Sequence, residues 1–218
     1  MSGPVDDFAP GGVFSEGAQS LKPSSLERLR TLLFEEGGLM RSLLSENPPE
    51  GIDGSVASHK SGANASGSSG SPPPNGFPPS PGPAQLAASG PRINGLGADY
   101  ELLIETIYEG YLLHYNAPRV VYPPEADLGV LAGDRLYALG LAHLVKLGDV
   151  EAVAELADVI TLSALAHGAE NPELAQAVWM AGARAVGWGA TPRHDRAKAL
   201  VRAGSPDALE AMRALEAT

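Results

Sequence analysis

The side chains in this sequence whose type and spacing could do chemistry are mostly carboxylates and imidazoles. Glu101, Glu105 and Glu109 recur at every fourth position, which puts them on one face if that stretch is helical. Such a ridge either coordinates a divalent cation with help from a second helix or is a solvated face. Asp134 is the most conspicuous polar residue of an otherwise apolar stretch. Its carboxylate either hydrogen-bonds a neighbouring helix or loop, positions a ligand or metal, or stands in water. His114 and His143 lie in largely apolar helices and read as core or boundary histidines, while His167 closes a helix where a cation suits the dipole. Their spacing is not that of a local metal motif, so no metal site is expected. The serines are isolated, and none sits in a nucleophile turn. The glycines from 62 to 70 lack a following Gly-Lys-Ser and make no phosphate loop. There is no cysteine, which removes disulfides, thiolate ligands and thiol nucleophiles. No residue is assigned a catalytic role.

Two further constellations suggest contact rather than chemistry. Tyr108, Tyr111 and Tyr115 fall at i, i+3 and i+7 on one helical face. A tyrosine face suits a partner surface, burying area while keeping polar tips, and a core stripe ending in surface hydroxyls gives the same spacing. Arg193, Arg196, Lys198 and Arg202 are the sole local basic concentration, placed either to meet a phosphate or to meet acidic ridges of the same domain. The chain as a whole carries 26 acidic against 15 basic residues, a net charge of -11. That balance argues against a nucleic-acid partner.

The elements that must position these residues are helices. Residues 1–22 are polar and glycine-rich and read as a disordered head. Residues 23–44 read as a short helical segment, opened by the capping-box pair Ser24 and Glu27 and ended by Gly37 or Gly38. From 45 to 97, 30 of 53 residues are Gly, Pro or Ser, the composition of a disordered linker. Residues 98–218 form the expected all-helical domain. Its first helix runs over about 99–113. The second, to Leu147, is nearly encircled by leucines and reads as a central helix packed on most sides. Gly148 breaks the chain and Asp149 caps a third helix with Val153, Leu156, Ile160 and Leu165 facing inward. Asn171-Pro172, Thr191-Pro192 and Ser205-Pro206 each pair a polar cap with proline at the first helical position. The fold class is therefore all-α, a bundle or array of about six helices after a disordered N-terminal region. No continuous apolar run is long enough for a membrane span, and the N-terminus lacks the pattern of a signal peptide. A cytoplasmic protein is expected.

The stretch DLGVLAGDRLYALGLAHLVKLGDVEAVAELADVITLSALAHG, Asp127 to Gly168, resembles part of the all-helical trans-isoprenyl (polyprenyl) diphosphate synthases. The features that carry the resemblance are the Leu131-Ala132-Gly133-Asp134 core, the Gly148-Asp149 turn, and an upstream helix ending in Leu113-His114. They span about a third of the chain. In that family the Leu-His pair runs into aspartates that hold Mg²⁺ and diphosphate; here Tyr115 and Asn116 follow. No DDxxD-like pattern occurs after residue 98, the adjacent aspartates Asp6 and Asp7 lie in the head, and Arg119 alone represents the family's basic clamp. The resemblance thus implies a non-catalytic small subunit, like that of a two-component heptaprenyl diphosphate synthase. Asp134, His114, Arg119 and Glu105 are the candidate ligand or structural polar residues, and Tyr108, Tyr111 and Tyr115 the candidate interaction face. The expected function is a catalytically silent accessory or assembly subunit, a homo- or hetero-oligomer with another helical protein, without a cofactor. The alternatives are a divergent prenyl-diphosphate-binding enzyme, which would need Mg²⁺, and a stand-alone interaction module unrelated to isoprenoids.

Overall fold

The computed structural model describes residues 23–44 and 81–215. The expected disordered head and residues 45–80 of the expected linker lie outside the described residues. Among the described residues nine α-helices run in chain order: α1 Ser25–Glu36, α2 Gly38–Ser42, α3 Pro83–Ala88, α4 Gly97–Tyr115, α5 Ala126–Leu147, α6 Val150–Gly168, α7 Pro172–Trp188, α8 Pro192–Arg202 and α9 Ala208–Arg213. The protein is an all-helical bundle built on six longer helices, α1 and α4 to α8. The local signals act as their chemistry requires. Ser24 and Glu27 close a reciprocal capping box on α1. The side chains of Asp149, Asn171 and Thr191 accept the amides of Ala152, Leu174 and His194 to open α6, α7 and α8. Gly148 adopts the left-handed conformation at φ 74° between α5 and α6. Ser205-Pro206 does not open α9, which begins at Ala208 without a side-chain cap.

Three expectations need correction. The first concerns the linker, whose last part, 81–97, belongs to the bundle. Pro83, Ala84 and Ala87 of α3 and Ile93 of the following 3-10 turn are buried, and α3 packs against both α4 and α7. Small residues that read as tether composition are here what allows close packing. A Cβ on Gly90 would lie 2.2 Å from the carbonyl oxygen of Gly187, so backbone rests on backbone.

The second concerns α5, which is not a central helix. Its buried residues are Gly129, Ala132, Gly133, Leu136, Gly140 and Leu144, mostly small. Glycines let α4 approach closely: a Cβ on Gly110 would lie 2.9 Å from Gly133 O, and one on Gly140 2.3 Å from Ile107 Cγ1. Steric access, rather than side-chain hydrophobicity, selects the inner face of this helix. α5 is also the one described helix long and apolar enough to cross a membrane by length and composition. It lies along α4 in the most extensive helix pair of the bundle. The third concerns α6, where Leu165 is exposed and Ala152, Leu156, Val159, Leu162 and Ala166 form the inner face.

The core has two parts. The larger lies among α3, α4, α6, α7, α8 and α9, around the fully buried Trp179. The smaller is formed by Leu29 and Leu33 of α1, Met40 of α2 and Leu43 just after it, Val120 and Val121, and Ala132 and Leu136 of α5. α1 thus covers one flank of α5, and an isolated antiparallel bridge between Leu44 and Val121 ties the segment after α2 to the α4–α5 loop.

Candidate functional site

The acidic ridge of α4 is buried, not solvated. Glu105 is 2% exposed; its Oε2 accepts from Arg119 Nη2 at 2.5 Å, and its Oε1 accepts from Gln85 Nε2 at 3.2 Å and Ser25 Oγ at 3.4 Å. Glu109 is fully buried and accepts the backbone amides of Arg119, Val120 and Val121 at 2.8, 2.7 and 3.1 Å. Its second oxygen faces Arg119 Nε at 3.3 Å. Glu101, nearer the surface, pairs with Arg28 of α1 at 3.0 Å. Burial works against the Arg119 charge, but Glu105 and then Glu109 outweigh it and raise its pKa. The structure therefore unites Glu105 and Arg119, two of the four candidate polar residues, in a network joining α1, α3, α4 and the α4–α5 loop.

The other two candidates form a separate pair. Asp134 is 66% exposed, and its Oδ1 lies 3.3 Å from His114 Nε2. Alignment is too poor for a hydrogen bond, so the buried Nε2 has no partner. The His114 ring stacks on Tyr137 with centroids 5.3 Å apart, and a Cβ on Gly133 would meet it at 2.6 Å. Among the described residues, no group of three or more metal-ligating side chains converges.

The tyrosine face is largely internal. Tyr111 is 2% exposed, stacks on Tyr108 and packs against Trp179 at 5.2 Å; Tyr108 meets Trp179 edge-on at 4.9 Å. The Tyr111 hydroxyl hydrogen-bonds His167 Nε2 at 2.9 Å. Burial pushes the Tyr111 phenol up to about 12 and the His167 imidazole down, so both are neutral near pH 7. Only Tyr115, stacked on His167 at 4.2 Å, is exposed. The expected interaction face is thus a core stripe with one surface end.

Two charged clusters had weaker signals in the sequence. Between α6 and α8, Glu155 accepts from His194 Nε2 at 2.7 Å and Lys198 Nζ at 2.8 Å, all three residues buried. Asp158 extends the cluster to Arg202 at 2.6 Å. Burial alone would raise the Glu155 pKa, but His194 and Lys198 hold it below the usual range. Lys198 and Arg202 thus meet acidic groups of their own domain. The detectable pattern was an acidic i, i+3 pair on one helix facing cations at 194, 198 and 202 on another. At the start of α6, Asp149 accepts a two-pronged contact from Arg92 at 2.5 and 2.7 Å and the Tyr100 hydroxyl at 2.5 Å. Arg92 chiefly, with Tyr100 and the Ala152 amide, holds the Asp149 pKa at about 2. A depressed carboxylate contributes stability that is present above its unfolded pKa and lost as pH falls through its folded one. Asp149→Asn keeps a capping oxygen but loses the paired charge, and is expected to cost about 2 kcal/mol at pH 6. That difference should fade between pH 4 and about pH 2 in urea titrations of both proteins. A gap that stays constant down to pH 2 would contradict the assignment.

The outer side of α5 carries Leu131, Ala138, Ala142 and Val145 in a row, with Leu131 57% and Val145 63% exposed. Val150, just past the turn, is also exposed. This is a row of apolar surface that the exposed Asp134 and Arg135 interrupt between Leu131 and Ala138. Against known proteins, the chain matches no family model, no curated protein and no solved structure.

Proposed function

We propose that this chain is a catalytically silent helical accessory or assembly subunit that docks its α5 strip on another helical protein, in a complex of the polyprenyl diphosphate synthase kind. The observation that carries this reading is the uncovered apolar row of Leu131, Ala138, Ala142 and Val145. The two alanines let a partner helix come close, and the larger ends supply buried area. A stable contact of this kind buries about 1,200–2,000 Å² in total. The internal engagement of Glu105 and Glu109 supports the absence of a catalytic role, because both carboxylates are buried and already bound to Arg119 and to loop amides rather than open to a Mg²⁺-bound diphosphate.

The test is co-expression with the catalytic subunit of a polyprenyl diphosphate synthase, followed by light scattering. A stoichiometric complex is expected for the wild type and lost in Leu131→Glu/Val145→Glu, whose unfolding free energy from urea titration should change by less than about 1 kcal/mol. A wild type that stays monomeric at all concentrations with every helical partner tried would overturn the docking role. Chain elongation by the purified chain alone, given Mg²⁺ and prenyl diphosphates, would overturn catalytic silence.

A further inference from the structure

Seven of the described lysines and arginines pair with a carboxylate. Arg184, Arg193 and Arg196, like Arg41 and Lys146, do not, and these three border connected hollows at one end of the bundle. Arg184 lies over the half-exposed ring of Trp188, 4.9 Å from its centroid. Arg184, Trp188 and Arg193 border a hollow of about 160 Å³. Arg193 and Arg196 border a wider groove of about 570 Å³ between α8 and α9, floored by Ala197, Leu200 and Ala211. The two hollows meet at Arg193. Asp195, between these arginines in sequence, instead faces Lys198 at 3.9 Å.

Guanidinium groups beside apolar surface bind carboxylates in two-pronged fashion, and an exposed indole with an alanine-leucine floor accepts apolar side chains. The matching ligand is a peptide segment with adjacent carboxylates flanked by apolar residues. Asp207 and Glu210 on the far wall of the wider groove repel carboxylates and confine such a segment to the α8 side. The sequence contains such a segment outside the described residues, Val5-Asp6-Asp7-Phe8.

We propose that Val5-Asp6-Asp7-Phe8 docks on the patch of Arg184, Trp188, Arg193 and Arg196 in the same chain, with Asp6 and Asp7 on the arginines and Phe8 on Trp188. Reach is sufficient. The residues from Phe8 to Pro23 span up to about 50 Å when extended, and a domain of this size is about 40 Å across.

The chain lacks cysteine, so Ser2→Cys gives a single attachment point for a nitroxide label on the full-length protein. The indole N–H of Trp188 is expected to broaden more than that of Trp179, which sits in the core and serves as an internal reference. The excess should be lost in Asp6→Asn/Asp7→Asn, which alters none of the described residues, and in Arg193→Glu/Arg196→Glu. It should return when Arg193→Glu/Arg196→Glu is combined with Asp6→Lys/Asp7→Lys. No excess at Trp188, or an excess unchanged in Asp6→Asn/Asp7→Asn, overturns the proposal. So does broadening that passes from labelled to unlabelled copies in a mixed sample, because the occupant would then be a second chain.

Discussion

Glu109→Ala is expected to cost about 4 kcal/mol of folding stability. The carboxylate is fully buried and accepts three successive backbone amides from Arg119, Val120 and Val121. Val120 and Val121 are themselves buried, so water cannot replace the lost acceptor without opening the loop. Each orphaned buried donor costs about 1–3 kcal/mol, and Arg119 loses one of its two carboxylates. Glu109→Gln keeps one carbonyl oxygen for the amides and should lose about half as much. Urea titration of the three proteins measures both effects, and amide exchange should speed up selectively at 119–121. A loss below about 1 kcal/mol for the alanine variant would mean that the loop finds other partners.

The same network shows where the sequence was legible and where it was not. Capping is local chemistry, so Ser24 with Glu27, Asp149, Asn171 and Thr191 could be read from neighbours three residues away. The four-residue spacing of Glu101, Glu105 and Glu109 correctly puts them on one side of α4. It says nothing about what faces that side. Their partners are a loop ten to twelve residues on, Gln85 in a stretch with linker composition, and Ser25 and Arg28 on α1. Such non-local pairing leaves no periodic trace. α5 failed for a different reason: leucines surround it, so periodicity could not choose a side. The choice falls to Gly133 and Gly140, which with Gly110 of α4 let the two helices come within backbone contact. Leu131, one of the encircling leucines expected to be packed, is thereby left outside, as is Val145. The same geometry that misled the reading of the fold produces the surface on which the proposed function rests.

Gly90→Val should show in the same way that residues 81–97 belong to the bundle, at a cost of about 3 kcal/mol, near the upper range for overpacking. Most overpacked sites relax by rotating a side chain, but here the obstruction is backbone. A Cβ on Gly90 would lie 2.2 Å from Gly187 O and 2.4 Å from Gly187 Cα, and one on Gly187 would lie 2.6 Å from Ala87 O. Relief requires α3 and the 3-10 turn to lift away from α7. That movement exposes Ala84, Ala87 and Ile93 and separates Gln85 from Glu105 and Arg92 from Asp149. Two readouts separate this mechanism from simple core damage. Amides of 84–93 should lose protection against hydrogen exchange while those of α6 and the middle of α7 keep theirs. The urea m-value should fall, because a native state with α3 detached has less surface left to expose on unfolding. Retained protection at 84–93 with a loss below about 1 kcal/mol would place these residues outside the cooperative unit, as their glycine, proline and serine content alone suggests.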